Sequence, residues 1–177
     1  MGLRGINHVV LYVAELQRSL DFYEGVLGFE RLGAGFPGGA FLRHAGSAND
    51  HDLGLFQSRV AQPPATGAVG LYHVAWEVET LADLAALHGG LRAAGALTGA
   101  SDHASTKALY GRDPDGIEFE ICWLVPDAQV EAALSGGAAM TGPLSLHTEI
   151  ARYGAATPGG PRTDPAIWAR VAAAGGR

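Results

Sequence analysis

A segment near the start of the chain recurs 65 positions later. The stretch NHVVLYVAELQRSLDFYEGVLGF, which begins at Asn7, matches YHVAWEVETLADLAALHGGLRAAG, which begins at Tyr72, and the match aligns His8 with His73. Each copy has the pattern of a β-branched strand, a short link and an amphipathic helix. This repeat constrains the fold strongly, because both copies must form the same substructure.

Apolar residues at helical spacing predict one helix in each copy. In the first copy these positions are Leu16, Leu20, Tyr23 and Leu27, and in the second they are Leu81, Leu84, Leu87, His88 and Leu91. Gly28 and Gly95 are predicted to end the two helices. Further strands are predicted around 39–44 and 51–58 in the first copy, and around 107–110 and 117–125 in the second.

These elements predict an α+β fold of two βαβββ modules, at 1–60 and 71–126. If their strands curl together as a mixed sheet, the equivalent His8 and His73 can point into one cavity, which would be a metal cavity. The segment AQPPATGAVG, residues 61–70, is rich in Pro and Gly and has no periodicity, so we interpret it as a linker. The tetrapeptide DPDG, residues 113–116, has the composition of a tight turn between the last two strands.

Residues 127–177 form an Ala/Gly-rich C-terminal extension. Its best helix candidate is TDPAIWARVAAAGG, in which Asp164 would be the N-cap, Pro165 the first helical residue and Gly175 the stop. The extension could pack on a module face, cover the mouth of the cavity or join a partner subunit, and the sequence does not choose among these.

Composition argues against several classes of protein. The net charge of −6, without a basic run, argues against nucleic acid or an acidic membrane surface as the main partner. No apolar segment reaches transmembrane length, and no signal-peptide pattern opens the chain. Cys122 is the only cysteine, which fits a reducing compartment, and we expect a cytoplasmic protein.

The repeat and the strand alternation give three candidate ligands, His8, His73 and Glu120. His8 and His73 occupy equivalent positions in the two copies. In the last predicted strand, Ile117, Phe119, Ile121 and Trp123 alternate with Glu118, Glu120 and Cys122. Two imidazoles and one carboxylate would form a facial triad with open positions, which suits Fe(II) and also Mn(II), Co(II), Ni(II) or Zn(II). Ordinary core or surface roles for these residues stay open at this point.

The chain resembles the vicinal oxygen chelate superfamily, which includes glyoxalases, bleomycin-resistance proteins and type I extradiol ring-cleaving dioxygenases. The resemblance covers about residues 5–125 and includes SLDFYEGVLGF in the first predicted helix. HASTKALYGRDPDGIEFE is similar to the extradiol signature, whose places are filled by His103, Leu109, Tyr110, Asp113, Pro114, Gly116 and Glu120. Ser101, two residues before the His, departs from that signature. HDLGLF, from His51, resembles the strand that carries the active-site His of catechol-type enzymes.

The resemblance implies a metal site of His8, His73 and Glu120, and it leaves Glu118 as a rim or solvent charge. It implies Fe(II)-dependent cleavage of a small aromatic diol with O2. His51 would be the acid/base, Tyr110 would donate a hydrogen bond to a metal-bound oxygen or to the intermediate, and His103 would bind the substrate near the pocket entrance. The oligomeric state stays open, with a homodimer as the candidate.

Two other functions are compatible with the same scaffold. Glyoxalase I enzymes use a fourth protein ligand, usually an acid, in the first module. With the offset of 65, the residue of the first module that is equivalent to Glu120 is Leu55, which is apolar. The absence of an acid at this position favours ring cleavage over a glyoxalase site. A glyoxalase-like isomerase or lyase, or a thiol transferase, stays an alternative, although no cationic cluster for a glutathione-like thiol is visible. A non-enzymatic protein that sequesters a drug or metabolite is the third alternative, and it would need no metal ligands.

Overall fold

The computed structural model describes residues 2, 5–60, 62, 67, 69–135, 141–160, 164, 166–167, 169–170 and 173. The chain divides into two compact units, one of Met1–Gly70 with Asp113–Ile117 and one of Leu71–Arg112 with Glu118–Arg177. Most of the predicted linker, at 61, 63–66 and 68, lies outside the described residues.

The first unit contains one βαβββ module, as predicted. Its elements are β1 (Val9–Val13), α1 (Leu16–Gly25), β2 (Glu30–Arg31), β3 (Gly39–Arg43) and β4 (Leu53–Gln57). They form a four-stranded sheet in the order β1-β4-β3-β2, in which β1 runs parallel to β4 and the other pairs are antiparallel. The helix ends earlier than predicted, at Gly25, and Gly28 follows with the positive φ of +76° that glycine tolerates best.

The beginning of α1 is stabilised by two carboxylates. Glu15 is the N-cap, and its side chain accepts hydrogen bonds from the backbone N–H groups of Gln17 and Arg18. Asp115, in the DPDG turn, accepts from the backbone N–H of Ala14 at 3.0 Å and pairs with the Arg18 guanidinium. The sequence predicted this turn but not its packing in the first unit.

The second unit contains the other predicted module followed by the extension. Its elements are β5 (Val74–Glu77), α2 (Leu81–Ala93), β6 (Leu97–Asp102), β7 (Thr106–Arg112), β8 (Glu118–Leu124), α3 (Asp127–Ser135), β9 (Gly142–Pro143) and α4 (Leu146–Tyr153). The five strands have the order β5-β8-β7-β6-β9, with β5 parallel to β8. Helix α2 begins with a capping box between Thr80 and Asp83.

Hydrogen bonding between strands gives two separate mixed sheets, one in each unit, rather than one continuous sheet. Strand β6, with the sequence LTGASD, did not appear among the predicted strands because it lacks an apolar alternation. It forms because it pairs with β7 along its length. No helix in the described part of the chain is long and apolar enough to cross a lipid bilayer.

The extension packs on the second module, which is one of the three arrangements that the sequence left open. Strand β9 pairs with β6, and the Trp123 indole N–H donates to the backbone carbonyl of Thr157 at 3.3 Å. Near the chain end, the Asp164 carboxylate accepts from the backbone N–H of Ala166 at 2.8 Å, as expected of the predicted N-cap. The predicted roles of Pro165 and Gly175 fall outside the described residues.

The strand registers correct one equivalence that the repeat predicted. Val10 lies opposite Gly54 in the β1–β4 pair, and Ala75 lies opposite Glu120 in the β5–β8 pair. Since Val10 and Ala75 are equivalent in the repeat, the counterpart of Glu120 is Gly54 and not Leu55. The constant offset was wrong here because the second module has one more residue between these strands. The position still carries no acid, while Leu55 is fully buried in the core.

Candidate functional site

Two of the predicted metal ligands, His73 and Glu120, contact each other in the second unit. His73 immediately precedes β5, and Glu120 is the third residue of β8, the parallel neighbour of β5. The imidazole Nε2 of His73 lies 3.1 Å from the carboxylate Oε2 of Glu120. The two side chains are 26% and 13% exposed, so the pair is partly screened from water yet open to a ligand.

The faces of β8 follow the predicted alternation. Phe119, Ile121 and Trp123 are buried in the core, whereas Ile117 lies before the strand and is only half-buried. On the other face Glu118 pairs with the Arg112 guanidinium at 2.7 Å, and its role as a rim or solvent charge stays a prediction. Cys122 is also buried. Burial, with the nearby Glu120 and Glu77, raises the pKa of its thiol to about 12, so the thiol stays protonated at neutral pH.

Tyr110 and His103 extend the pair into a row of polar side chains. Tyr110 lies directly opposite Glu120 in the β7–β8 ladder, and its hydroxyl is 2.8 Å from the Nε2 atom of His103. Burial and the neighbouring Glu120 carboxylate raise the pKa of Tyr110, so its phenol stays protonated and can donate a hydrogen bond. His73, Glu120, Tyr110 and His103 are hereafter called the polar row.

His8 and His51 lie together in the first unit. Their ring centroids are 4.3 Å apart, because His8 precedes β1 and His51 comes shortly before β4, the parallel neighbour of β1. The His51 ring also packs on Phe41 at 4.5 Å, and its Nδ1 lies 3.6 Å from the Asp50 carboxylate. His8 is exposed, and its Nδ1 contacts the side-chain oxygen of Asn7 at 2.7 Å.

Asp52 shapes the loop that presents His51, and the sequence reasoning missed it. Its buried carboxylate accepts hydrogen bonds from the Ser47 hydroxyl at 2.7 Å, the Asn49 amide at 2.8 Å and the His44 backbone N–H at 3.0 Å. Burial acts to raise the pKa of Asp52, but these hydrogen bonds outweigh it and lower that pKa below 3.8. The run of Ser and Asn before His51 was the available signal, since such residues form loop hydrogen bonds.

We expect Asp52→Asn to lower the free energy of unfolding by about 1–3 kcal/mol at pH 7, because buried donors lose their charged acceptor. Folding lowers the pKa of Asp52, so its contribution is present above the unfolded value of 3.8 and is lost as the pH falls through the folded pKa. Urea unfolding of both proteins should therefore show a smaller difference in strongly acidic buffer than at pH 7. An equal difference in the two buffers would contradict this assignment.

The donors of the polar row fit a divalent cation. One imidazole nitrogen and one carboxylate oxygen, 3.1 Å apart and partly exposed, are ligands that Fe(II), Mn(II) and Zn(II) all accept. In the described part of the chain, no group of three or more His, Cys, Asp and Glu side chains that could hold an ion was found. The role of His8, which belongs to the first unit, stays a prediction, as do those of His51, His103 and Tyr110.

Comparisons with known proteins agree with this fold. The model of the glyoxalase/bleomycin resistance protein/dioxygenase superfamily matches residues 5–121. A glyoxylase/bleomycin resistance protein/dioxygenase domain from Frankia sp. EAN1pec is 27% identical, with a TM-score of 0.57, over 68% of this chain and 98% of that one. A comparison with curated proteins gave no match.

Two solved structures with named functions share the fold at lower identity. A lactoylglutathione lyase from Agrobacterium tumefaciens is 21% identical over 69% of this chain and 95% of that one, with a TM-score of 0.52. A fosfomycin resistance protein from Listeria monocytogenes is 16% identical over 68% and 93%, also with a TM-score of 0.52, and a variant of it was solved with Mn(II).

The family match covers the two βαβββ modules up to residue 121 and leaves out the extension. Members of this superfamily are commonly enzymes and typically bind divalent metals. The family match spans more than half of the sequence and agrees with the repeat and with the two mixed sheets. The chain therefore belongs to the glyoxalase/bleomycin resistance protein/dioxygenase superfamily.

Proposed function

We propose that this protein is a metal-dependent extradiol-type dioxygenase, which opens the ring of a small aromatic diol with O2. The observation that carries the proposal is the polar row, in which the hydrogen-bonded His103 and Tyr110 stand next to the His73–Glu120 pair. Three of these four residues, His103, Tyr110 and Glu120, fill places in the extradiol signature.

His73 and Glu120 would hold the metal, with His8 proposed as the third ligand. Fe(II) is the first candidate, and Mn(II), Ni(II) and Zn(II) are alternatives that accept the same donors. When bound, the ion would be chelated by both diol oxygens, and its positive charge would lower the pKa of their hydroxyl groups. Three protein ligands would leave coordination positions for the substrate and O2.

The side chains of this protein would orient the substrate and move its proton. Tyr110, protonated because burial and Glu120 raise its pKa, would donate a hydrogen bond to a substrate oxygen. His103 would hold the Tyr110 hydroxyl in position through the contact of 2.8 Å. We propose His51 as the base that accepts a diol proton and later returns it, since imidazole is the side chain that most often serves as a general acid and base.

The first module supports this choice over a glyoxalase site. The counterpart of Glu120 there is Gly54, which has no side chain and so provides no fourth ligand. Its flanking neighbour Leu55 points into the core and is fully buried, so it does not replace that ligand. A three-ligand site with open positions fits the chemistry of O2 better than a closed four-ligand site does.

The test is anaerobic loading with Fe(II), followed by catechol or a ring-substituted catechol and then air. We expect a yellow ring-opened semialdehyde, with one O2 consumed per ring opened. Protein that retains Fe(II) yet opens none of these rings would contradict the proposal. Isomerisation of a methylglyoxal–thiol adduct with Ni(II) or Zn(II) would support the glyoxalase alternative, and failure to retain any metal would support the binding-protein alternative.

We expect Tyr110→Phe to lower kcat for ring opening about tenfold, the equivalent of one hydrogen bond worth about 1.4 kcal/mol, while metal retention stays unchanged. Tyr153→Phe is the matched control, because Tyr153 packs on Trp123 and its hydroxyl has no hydrogen-bond partner among the described residues. Steady-state rates with measured metal content test this. Equal rates for Tyr110→Phe and the wild type would remove Tyr110 from the mechanism.

A further inference from the structure

A strained hairpin turn presents His103 to the polar row. The turn joins β6 to β7 and is closed by the His103 backbone N–H, which donates to the Thr106 carbonyl at 2.8 Å. Among the described residues, Ala104 in this turn is the only one besides glycines with a positive φ, at +59°. We propose that Asp102 is a positioning residue that holds this turn, and with it His103, in the polar row, which rests on the function proposed above.

The Asp102 carboxylate supports the turn from inside. Its Oδ1 atom accepts a hydrogen bond from the backbone N–H of Ala104 at 2.8 Å. The Ser105 N–H donates to the His103 carbonyl at 2.7 Å, which makes a γ-turn centred on Ala104, and γ-turns with a positive φ are rare and strained. Such a conformation persists only where the surrounding structure enforces it, and the carboxylate that binds the Ala104 N–H is part of that enforcement.

The buried Lys107 ammonium fixes the position of this carboxylate. Lys107 lies directly opposite Asp102 in the β6–β7 ladder, and its Nζ atom is 2.5 Å from the same Oδ1 atom. The Nζ atom is also 3.0 Å from the Glu149 carboxylate of α4. The C-terminal extension, which the family match leaves out, therefore supports the turn through Glu149 and Lys107.

The backbone of the turn determines where the His103 imidazole lies. The ring is 2.8 Å from the Tyr110 hydroxyl and 3.3 Å from the Thr141 hydroxyl. A change of φ at Ala104 would reorient the peptide that follows His103 and draw the ring away from these contacts. Backbone strain beside a functional residue is a known means of preorganisation. Asp102 would therefore act on the reaction through His103 and Tyr110, without contacting the substrate.

Two substitutions separate this role from the loss of an ion pair. Asp102→Ala removes the acceptor of the Ala104 N–H, while Glu149 remains as a counter-charge beside Lys107. Ala104→Gly removes the strain, because glycine adopts a positive φ readily. The double variant Asp102→Ala/Ala104→Gly should therefore regain the turn, whereas damage caused only by the lost ion pair would not be repaired by a glycine in the turn.

The test is amide hydrogen exchange of the His103 backbone N–H, measured by NMR on the full-length, metal-free protein. We expect Asp102→Ala to accelerate this exchange about tenfold or more, the equivalent of one lost hydrogen bond to a charged group. Ala104→Gly and the double variant should exchange at close to the wild-type rate. Where ring opening is measurable, Asp102→Ala should lower kcat several-fold, and the double variant should restore it.

The exchange rates separate this proposal from the proposed function. Wild-type exchange in Asp102→Ala, or faster exchange that Ala104→Gly does not reverse, would overturn the role of Asp102. Faster exchange that is reversed, with no change in a measurable kcat, would confine Asp102 to the fold and also overturn it. The same reversal in a protein whose wild type opens no ring would support the placement of His103 by Asp102 and contradict the dioxygenase function.

Thermal unfolding of all four proteins checks that the variants fold. If Asp102→Ala does not fold, folding of the double variant would support the proposal, since only the turn has been repaired. Failure of both to fold would show that Asp102 acts elsewhere in the structure and overturn the proposal.

Discussion

Glu120→Gln should abolish stable metal binding and lower ring-opening activity by more than about 100-fold. Loss of a side chain that only supports a ligand typically costs 10-fold to 100-fold in metal affinity or activity, and loss of the ligand itself should cost more. The glutamine amide is neutral and a weaker ligand than a carboxylate. It can still hydrogen-bond to His73, so the local fold should survive.

Glu118→Gln is the matched control for this prediction. Glu118 lies two residues earlier on the same face of β8, but its carboxylate pairs with Arg112 at 2.7 Å rather than with an imidazole. We expect it to retain metal and activity near the wild-type level. Metal content after anaerobic loading and desalting measures both variants, and equal retention by Glu120→Gln and the wild type would contradict the assignment of Glu120 as a ligand.

His8→Ala and His73→Ala extend the same measurement to the other predicted ligands. His73 contacts Glu120, whereas the involvement of His8 is a prediction from the repeat and the family resemblance. Loss of metal in both variants would support the three-ligand set. Retention in His8→Ala alone would remove His8 from that set and leave the His73–Glu120 pair.

Lys107→Met should lower the free energy of unfolding by about 3–5 kcal/mol. The ammonium is 1% exposed and lies 2.5 Å from the Asp102 carboxylate and 3.0 Å from the Glu149 carboxylate, itself 8% exposed. Removal of the cation leaves a buried carboxylate without a counter-charge, and breaking a buried ion pair from one side typically costs this much. Urea unfolding measures the change.

Two further variants test whether uncompensated charge is the cause. Arg112→Met, on the same strand, removes a largely exposed pair with Glu118 and should cost less than about 1 kcal/mol. The double variant Lys107→Met/Glu149→Leu removes both members of the buried pair and should be more stable than Lys107→Met alone. A double variant no more stable than the single one would indicate lost packing as the cause.

Local patterns predicted much of the fold. The alternation along β8 identified the buried Phe119, Ile121 and Trp123 and the opposite face with Glu118 and Glu120. Helical spacing identified α1 and α2, and Gly95 follows the C-cap of α2 closely, as predicted. The DPDG turn was recognised from its composition, and the structure shows Gly116 at the positive φ of +81° that such a turn requires.

Three features required long-range pairing that local patterns do not encode. The constant offset predicted Leu55 as the counterpart of Glu120, whereas the strand pairing shows that it is Gly54. The difference arises because the second module has one more residue between the paired strands. Lys107 shares a strand face with the buried Leu109, which indicates a buried ammonium that needs a counter-charge. The sequence does not indicate its partner Glu149, which lies on α4. Thr141 reaches His103 only because β9 adds to the edge of the sheet.

The amino-acid sequence by itself therefore determined the two βαβββ modules, the superfamily and the identity of all four residues of the polar row. These depend on periodicity, turn residues and motifs, all of which act between near neighbours in the chain. Only the tertiary structure decided the strand register, the anchoring of the extension and the hydrogen-bond partners of His103. Those depend on which distant strands pair, and pairing follows from loop length and from the burial of side chains that are far apart in sequence.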